Sequence, residues 1–86
     1  MADYRVEIRR PAARELDKLD PRLGRRILEA IEGLATKPRP AQSRKLAGSE
    51  NSYRLRVGSY RILYQVDDPE SLVSVFAVGH RREIYR

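Results

Sequence analysis

The feature that most limits what this chain can fold into is one run, Tyr53-Arg54-Leu55-Arg56-Val57-Gly58-Ser59-Tyr60-Arg61-Ile62-Leu63-Tyr64. Apolar and cationic residues alternate around Gly58-Ser59, the period of strands with one covered face. A two-residue loop with Gly first suits a type II′ turn, and that turn sets the pairing. Val57 then faces Tyr60, Arg56 faces Arg61, Leu55 faces Ile62, and Tyr53 faces Tyr64. Alternation puts Tyr53, Leu55, Val57, Tyr60, Ile62 and Tyr64 on one face and Arg54, Arg56 and Arg61 on the other. Like charges paired across strands are unfavourable by ~0.2–1 kcal/mol, and no acidic residue lies between Ser52 and Val66. A phosphate or an acidic partner docking on the arginine face removes that conflict.

The rest of the chain supplies cover for the tyrosine face. Tyr4-Arg5-Val6-Glu7-Ile8 alternates like a half-buried strand. Pro11 suits a helix start, and Ala12, Leu16 and Leu19 form one side of a short first helix. Asp20 is an expected N-cap, with Pro21 at the first helical position. The second helix is expected to run to about Thr36, with Leu23, Ile27, Ile31 and Leu34 in a single apolar stripe. Lys37-Pro38-Arg39-Pro40 ends it. Arg44-Lys45-Leu46 forms a brief extended piece, and three strands follow: about Ser52–Val57, Tyr60–Val66 and Leu72–Gly79. The expectation is a single α+β domain over residues 1–86, ordered β-α-α-β-β-β. A helical hairpin packs on one face of a mainly antiparallel, four-stranded sheet.

Composition narrows the chemistry. Eighteen Lys and Arg against twelve Asp and Glu give a net charge of +6, which favours an anionic partner. With no cysteine and one histidine, His80, the chain has no thiolate zinc site, no cysteine nucleophile and no multi-histidine metal site. No metal or other cofactor is expected. No apolar run approaches the ~20 residues of a membrane span, and the start does not resemble a signal peptide. The expected location is the cytoplasm, with no membrane partner.

Symmetric pairing across the loop Asp67-Asp68-Pro69-Glu70-Ser71 predicts that Val66 faces Leu72 and Arg61 faces Ala77. Val73, Val75, Ala77, Gly79 and Arg81 then share the arginine face, and His80 lies on the opposite one. Arg54, Arg56, Arg61 and Arg81 converge at one end, with Asp67, Asp68 and Glu70 at the other. Gly79 leaves space for a ligand backbone near Arg61. Leu63, Val73 and Val75 are expected as exposed apolar residues on this face.

The hairpin from Tyr53 to Tyr64 closely resembles the hairpin signature of the RelE/ParE toxin superfamily. Val78-Gly79-His80-Arg81-Arg82-Glu83-Ile84-Tyr85 resembles the same superfamily's ending, and Lys45-Leu46-Ala47-Gly48 its "K-L-x-G" element. The resemblance covers nearly the whole chain and implies a type II toxin held inactive by a cognate antitoxin protein. Within the superfamily the chain looks like the RelE branch, whose members enter the ribosomal A site and cut messenger RNA. The alternative is the ParE branch, which poisons DNA gyrase without being a nuclease. By this resemblance Arg54 and Arg56 match the basic hairpin pair, Arg61 the phosphate-binding arginine, Arg81 the second arginine and Tyr85 the terminal tyrosine. Lys45 joins the expected RNA-binding set.

RNA can be cut without metal when its 2′-oxygen attacks the adjacent phosphorus and the 5′-oxygen leaves. Such catalysis needs in-line orientation, neutralised phosphorane charge and help with proton transfer. An arginine fork suits the phosphate oxygens. Arg61 is the first choice for that contact, with Arg81 near the leaving oxygen and Tyr85 stacking on a base. The relatives often carry lysines where Arg54 and Arg56 stand. An arginine stays charged, so this pair favours electrostatic activation of the 2′-hydroxyl over proton abstraction. His80 is a candidate acid or base, and Glu83 is the other titratable candidate.

Overall fold

The computed structural model describes residues 3–80. Its elements run β1 (Arg5–Ile8), α1 (Arg10–Asp17), α2 (Pro21–Gly33), β2 (Ser43–Lys45), β3 (Ser52–Val57), β4 (Tyr60–Asp67) and β5 (Leu72–His80). Proline stands in the first turn of both helices, where its missing N–H costs nothing. The Asp20 carboxylate caps α2 by accepting from the Arg22 N–H at 3.1 Å. Among the described residues, no helix is long and apolar enough to cross a membrane.

The strands form one sheet in the order β1-β5-β4-β3-β2, with β1 parallel to β5 and the other pairs antiparallel. The α+β class and the covering helical hairpin agree with the sequence. The strand count does not: there are five rather than four, because Ser43–Lys45 pairs with β3 and becomes the edge strand. Three residues carry too little pattern to mark a strand on their own.

The core lies between the helices and one face of the sheet. Ala12 of α1, and Ile27 and Ile31 of α2 followed by Leu34, are buried against Leu55, Ile62, Tyr64, Val66, Val73, Val75 and Val78. Full burial of each large aliphatic side chain contributes roughly 1.5–3 kcal/mol, so the α2 stripe anchors the hairpin to the sheet.

The β3–β4 hairpin has the expected register, with Val57 opposite Tyr60, Arg56 opposite Arg61 and Tyr53 opposite Tyr64. Gly58 takes φ +58°, the left-handed value a type II′ turn needs at its first position. The β4–β5 register differs from expectation in two steps. Asp67 itself joins the ladder opposite Leu72, so Val66 faces Val73 and Tyr64 faces Val75. A bulge beside Leu63/Tyr64 then places Leu63 opposite Ala77 and Arg61 opposite Gly79, leaving Phe76 as the extra residue. The first step turns Val73 and Val75 into the core, where both are fully buried. The bulge flips the strand back, so Ala77 and Gly79 share the Arg61 face as expected. Leu63 does lie on the open face, between Arg54 and Ala77, but is only 9% exposed. The expected patch of exposed Leu63, Val73 and Val75 is therefore absent.

Candidate nucleic-acid interface

On the sheet face away from the helices, Arg44, Arg54, Arg56 and Arg61 gather toward the Gly58 turn. Arg44 stands directly opposite Arg54 across β2–β3, and Arg56 opposite Arg61 across β3–β4. The two like-charged pairs follow from strand parity alone. An open groove of about 340 Å³ is lined by Ala41, Gln42, Arg44, Arg54, Arg56 and Gly58, none of them acidic.

Arg61 differs from its neighbours in burial. It is 6% exposed, so it is set into the surface. Its Nη1 donates to the Tyr60 carbonyl oxygen at 3.3 Å, which helps fix its orientation. Gly79 lies directly opposite on β5 and brings no side chain, so a ligand backbone can approach there. The closeness of Gly79 to Arg61 was expected from the sequence, although the register that produces it is different.

Lys45 does not belong to this cluster. It pairs with Tyr53, whose side chain is on the helix face, so strand alternation turns Lys45 away from the arginines. Arg44, one residue earlier, lies on the arginine face opposite Arg54. The adjacent Arg44-Lys45 pair was the available signal, but parity in a three-residue strand is fixed only by its partner.

His80 pairs with Tyr60 and also lies on the helix face, with the two rings edge to face at 5.6 Å. Its backbone position keeps it off the arginine face. Arg81, Glu83 and Tyr85 lie outside the described residues.

At the far end of the sheet, cationic and acidic groups neutralise each other. Arg39 Nη2 donates to Asp68 Oδ2 at 2.8 Å, Arg39 Nε donates to the Tyr53 hydroxyl at 2.9 Å, and the Tyr4 hydroxyl donates to Asp68 Oδ1. The bond from Tyr4 and the Arg39 guanidinium hold the Asp68 carboxyl below the usual carboxylate range. Asp68 in turn raises Tyr4, and the bonds to Asp68 and Tyr53 raise Arg39 further above its ordinary value. Tyr53 and Tyr64 stack at 5.7 Å. The Tyr64 hydroxyl donates to the Pro38 carbonyl oxygen at 2.8 Å, and burial pushes that phenol up. These contacts pin the loop after α2, which carries Ala41 and Gln42 into the wall of the arginine groove.

An arginine cluster of this kind can hold successive phosphates of a nucleic-acid strand, each fork making charge-assisted hydrogen bonds. Comparison with known proteins identifies the family. The family described as "ParE toxin of type II toxin-antitoxin system, parDE" matches residues 6–85. Toxin RelG of Mycobacterium tuberculosis is 38% identical over 88 aligned positions, covering 96% of this chain and 97% of that protein. Among solved structures, a chain of the toxin–antitoxin complex RelBE2 from M. tuberculosis superposes with a TM-score of 0.80 at 32% identity, covering 92% of this chain and 99% of that one. A chain of the archaeal RelE–RelB complex from Pyrococcus horikoshii superposes with a TM-score of 0.83 at 29% identity, covering 94% of this chain and 98% of that one.

Proposed function

The chain belongs to the RelE/ParE family of type II toxin–antitoxin toxins, and from that premise we propose that it is a ribosome-dependent endoribonuclease that cuts messenger RNA in the A site. The observation that carries this reading is the arginine cluster on the open sheet face, where Arg56 stands opposite Arg61 and Arg61 opposite Gly79. In this reading Arg61 binds the scissile phosphate and stabilises the charge that develops as the 2′-oxygen attacks phosphorus. The P–O5′ bond breaks as the new P–O2′ bond forms, giving a 2′,3′-cyclic phosphate and a 5′-hydroxyl.

Arg54 and Arg56 favour the 2′-alkoxide electrostatically, and Arg44 holds a flanking phosphate. Arg81 near the leaving oxygen and Tyr85 stacked on a base complete the set that the family resemblance suggests. His80 remains a candidate acid or base by residue type, although its side chain starts from the other face. The described cluster is rich in fixed positive charge and poor in titratable groups. The ribosome therefore supplies much of the in-line positioning of messenger RNA. The partner that silences the toxin is a cognate antitoxin, a reading supported by relatives solved in RelB complexes, and the cytoplasm, where ribosomes are, is its place of action.

The family description names ParE, which favours gyrase inhibition as the second reading. Mapping messenger 5′ ends after brief expression separates the two. The nuclease reading expects new ends within translated frames, intact DNA, and no cutting of naked RNA at the same positions. Gyrase-linked DNA breaks with intact messenger select the ParE reading instead.

A further inference from the structure

Ala41 and Gln42 are the central pair of a tight turn closed by Ser43, whose N–H and hydroxyl both donate to the Pro40 carbonyl oxygen, at 2.9 and 2.7 Å. The turn leads into the edge strand β2, on the loop that Arg39 and Tyr64 fasten at its other end. Gln42 is exposed and lines the arginine groove beside Arg44, Arg54 and Arg56. Its carboxamide has no hydrogen-bond partner among the described residues, so its donor and its acceptor are both available to a ligand.

The groove is chemically one-sided without Gln42. Arginine donates and never accepts, so Arg44, Arg54 and Arg56 suit phosphate oxygens. Among the described residues that line the groove, Gln42 alone carries a side-chain acceptor. Adenine presents a donor, its N6 amino group, beside an acceptor, N7, and a glutamine carboxamide matches both. Placement fits as well. Arg61 on β4, Arg56 on β3 and Gln42 at the β2 edge follow one another across the sheet, so Gln42 stands about 10 Å from Arg61 by strand spacing. A nucleotide whose phosphate sits at Arg61 and Arg56 spans that gap through its ribose and base.

We propose that Gln42 is a specificity-determining residue, whose carboxamide reads the base next to the scissile phosphate by accepting from N6 and donating to N7 of an adenine. The inference rests on the endoribonuclease reading given above and adds which base that site selects. Bases of single-stranded RNA are open to this kind of readout. The doubly held turn fixes the backbone from which Gln42 reaches, so little ordering is lost on binding.

The test compares wild type, Gln42→Leu and Gln42→Arg on ribosomes programmed with every A-site codon. The readout is the rate ratio between codons with adenine beside the cut and codons with another base there. Wild type is expected to favour adenine about tenfold or more, the discrimination of one bidentate base contact. Gln42→Leu keeps the size but loses the amide, and the ratio should fall to roughly twofold or less. Gln42→Arg donates twice and accepts nothing, so the preference should move to guanine, which offers O6 and N7. A loosened turn would slow all codons together, which makes the move to guanine the signature of base contact. Melting temperatures should stay at the wild-type value, since Gln42 is exposed. Adenine preference retained by both variants assigns base choice to the ribosome and overturns the proposal while leaving the nuclease reading intact. A wild-type preference for another base overturns it in the same way. Absence of cutting by the wild type removes the nuclease reading itself and this inference with it.

Discussion

The two ends of the sheet treat arginine in opposite ways. At the β4–β5 loop, Arg39 is held by Asp68 and Tyr53 while Tyr4 bonds the same carboxylate. Toward the Gly58 turn, Arg44 is set against Arg54 and Arg56 against Arg61, beside a groove with no carboxylate among the described residues that line it. The same residue type ties a loop to the sheet at one end and stands in like-charged cross-strand pairs at the other. Strand parity makes the difference, because the hairpin forces its arginines onto one face whether or not they repel. Stacking like charges this way costs a little stability, and an anion bound there would relieve that cost.

Apart from Arg61 itself, the largest expected effect within this contrast separates neighbouring residues. Arg44→Ala removes a charge-assisted phosphate contact of about 1.5–3 kcal/mol, so messenger cleavage at limiting toxin should fall about 10- to 100-fold. Lys45→Ala should change it less than twofold, since Lys45 is on the helix face. Equal losses would break the assignment of the open face. Dose–response on programmed ribosomes measures both.

The clasp end should respond in stability instead. Tyr64→Phe removes the bond to the Pro38 carbonyl, which is expected to cost about 0.5–1.5 kcal/mol. Arg39→Ala breaks a solvent-accessible ion pair and should cost about 0.5–1 kcal/mol. Either change lowers the melting temperature by a few degrees, about 4–8 °C per kcal/mol for a domain of this size. Cleavage rates should stay within threefold.

Two pH limbs are smaller still. The Asp68 carboxyl is lowered in the folded chain, so its contribution is present above the unfolded value of about 3.9 and is lost as pH falls through the lower folded value. Asp68→Asn should flatten that acid limb. Tyr64 is raised in the folded chain, so its contribution is full below about pH 10 and is lost as pH rises through the folded value. Tyr64→Phe should flatten the alkaline limb. Melting curves across pH test both signs.

How much of this was legible in the sequence follows from particular residues. Gly58-Ser59 fixed a register that the alternation on both sides reinforced, so the Arg56–Arg61 pair could be read directly. Leu72-Val73-Ser74-Val75-Phe76-Ala77-Val78 is apolar at nearly every position, so it fits either face, and the Asp67–Leu72 pairing together with the bulge at Phe76 decides. β2 is too short to reveal its own parity, so nothing local showed that Arg44, and not Lys45, joins the arginine face. The Tyr4–Asp68 bond joins residues 64 apart in the chain, a distance over which no local pattern carries information. The family resemblance rested on the hairpin and the C-terminal motif, and the matched family and relatives agree with it.

The central claim is that the open-face arginines, and not the clasp, perform the chemistry. Single-turnover cleavage on programmed ribosomes by wild type, Arg61→Ala, Arg61→Lys and Arg39→Ala tests it most directly. Loss of one preorganised donor typically costs about 10²–10³ in rate, and Arg61→Ala should show that loss. Arg61→Lys keeps the charge at this buried position but not the fork, so a rate between wild type and Arg61→Ala, with a near-normal melting temperature, is expected. Arg39→Ala should cut within threefold of wild type. Near-wild-type cutting by a folded Arg61→Ala chain, together with an inactive but folded Arg39→Ala chain, would contradict the account.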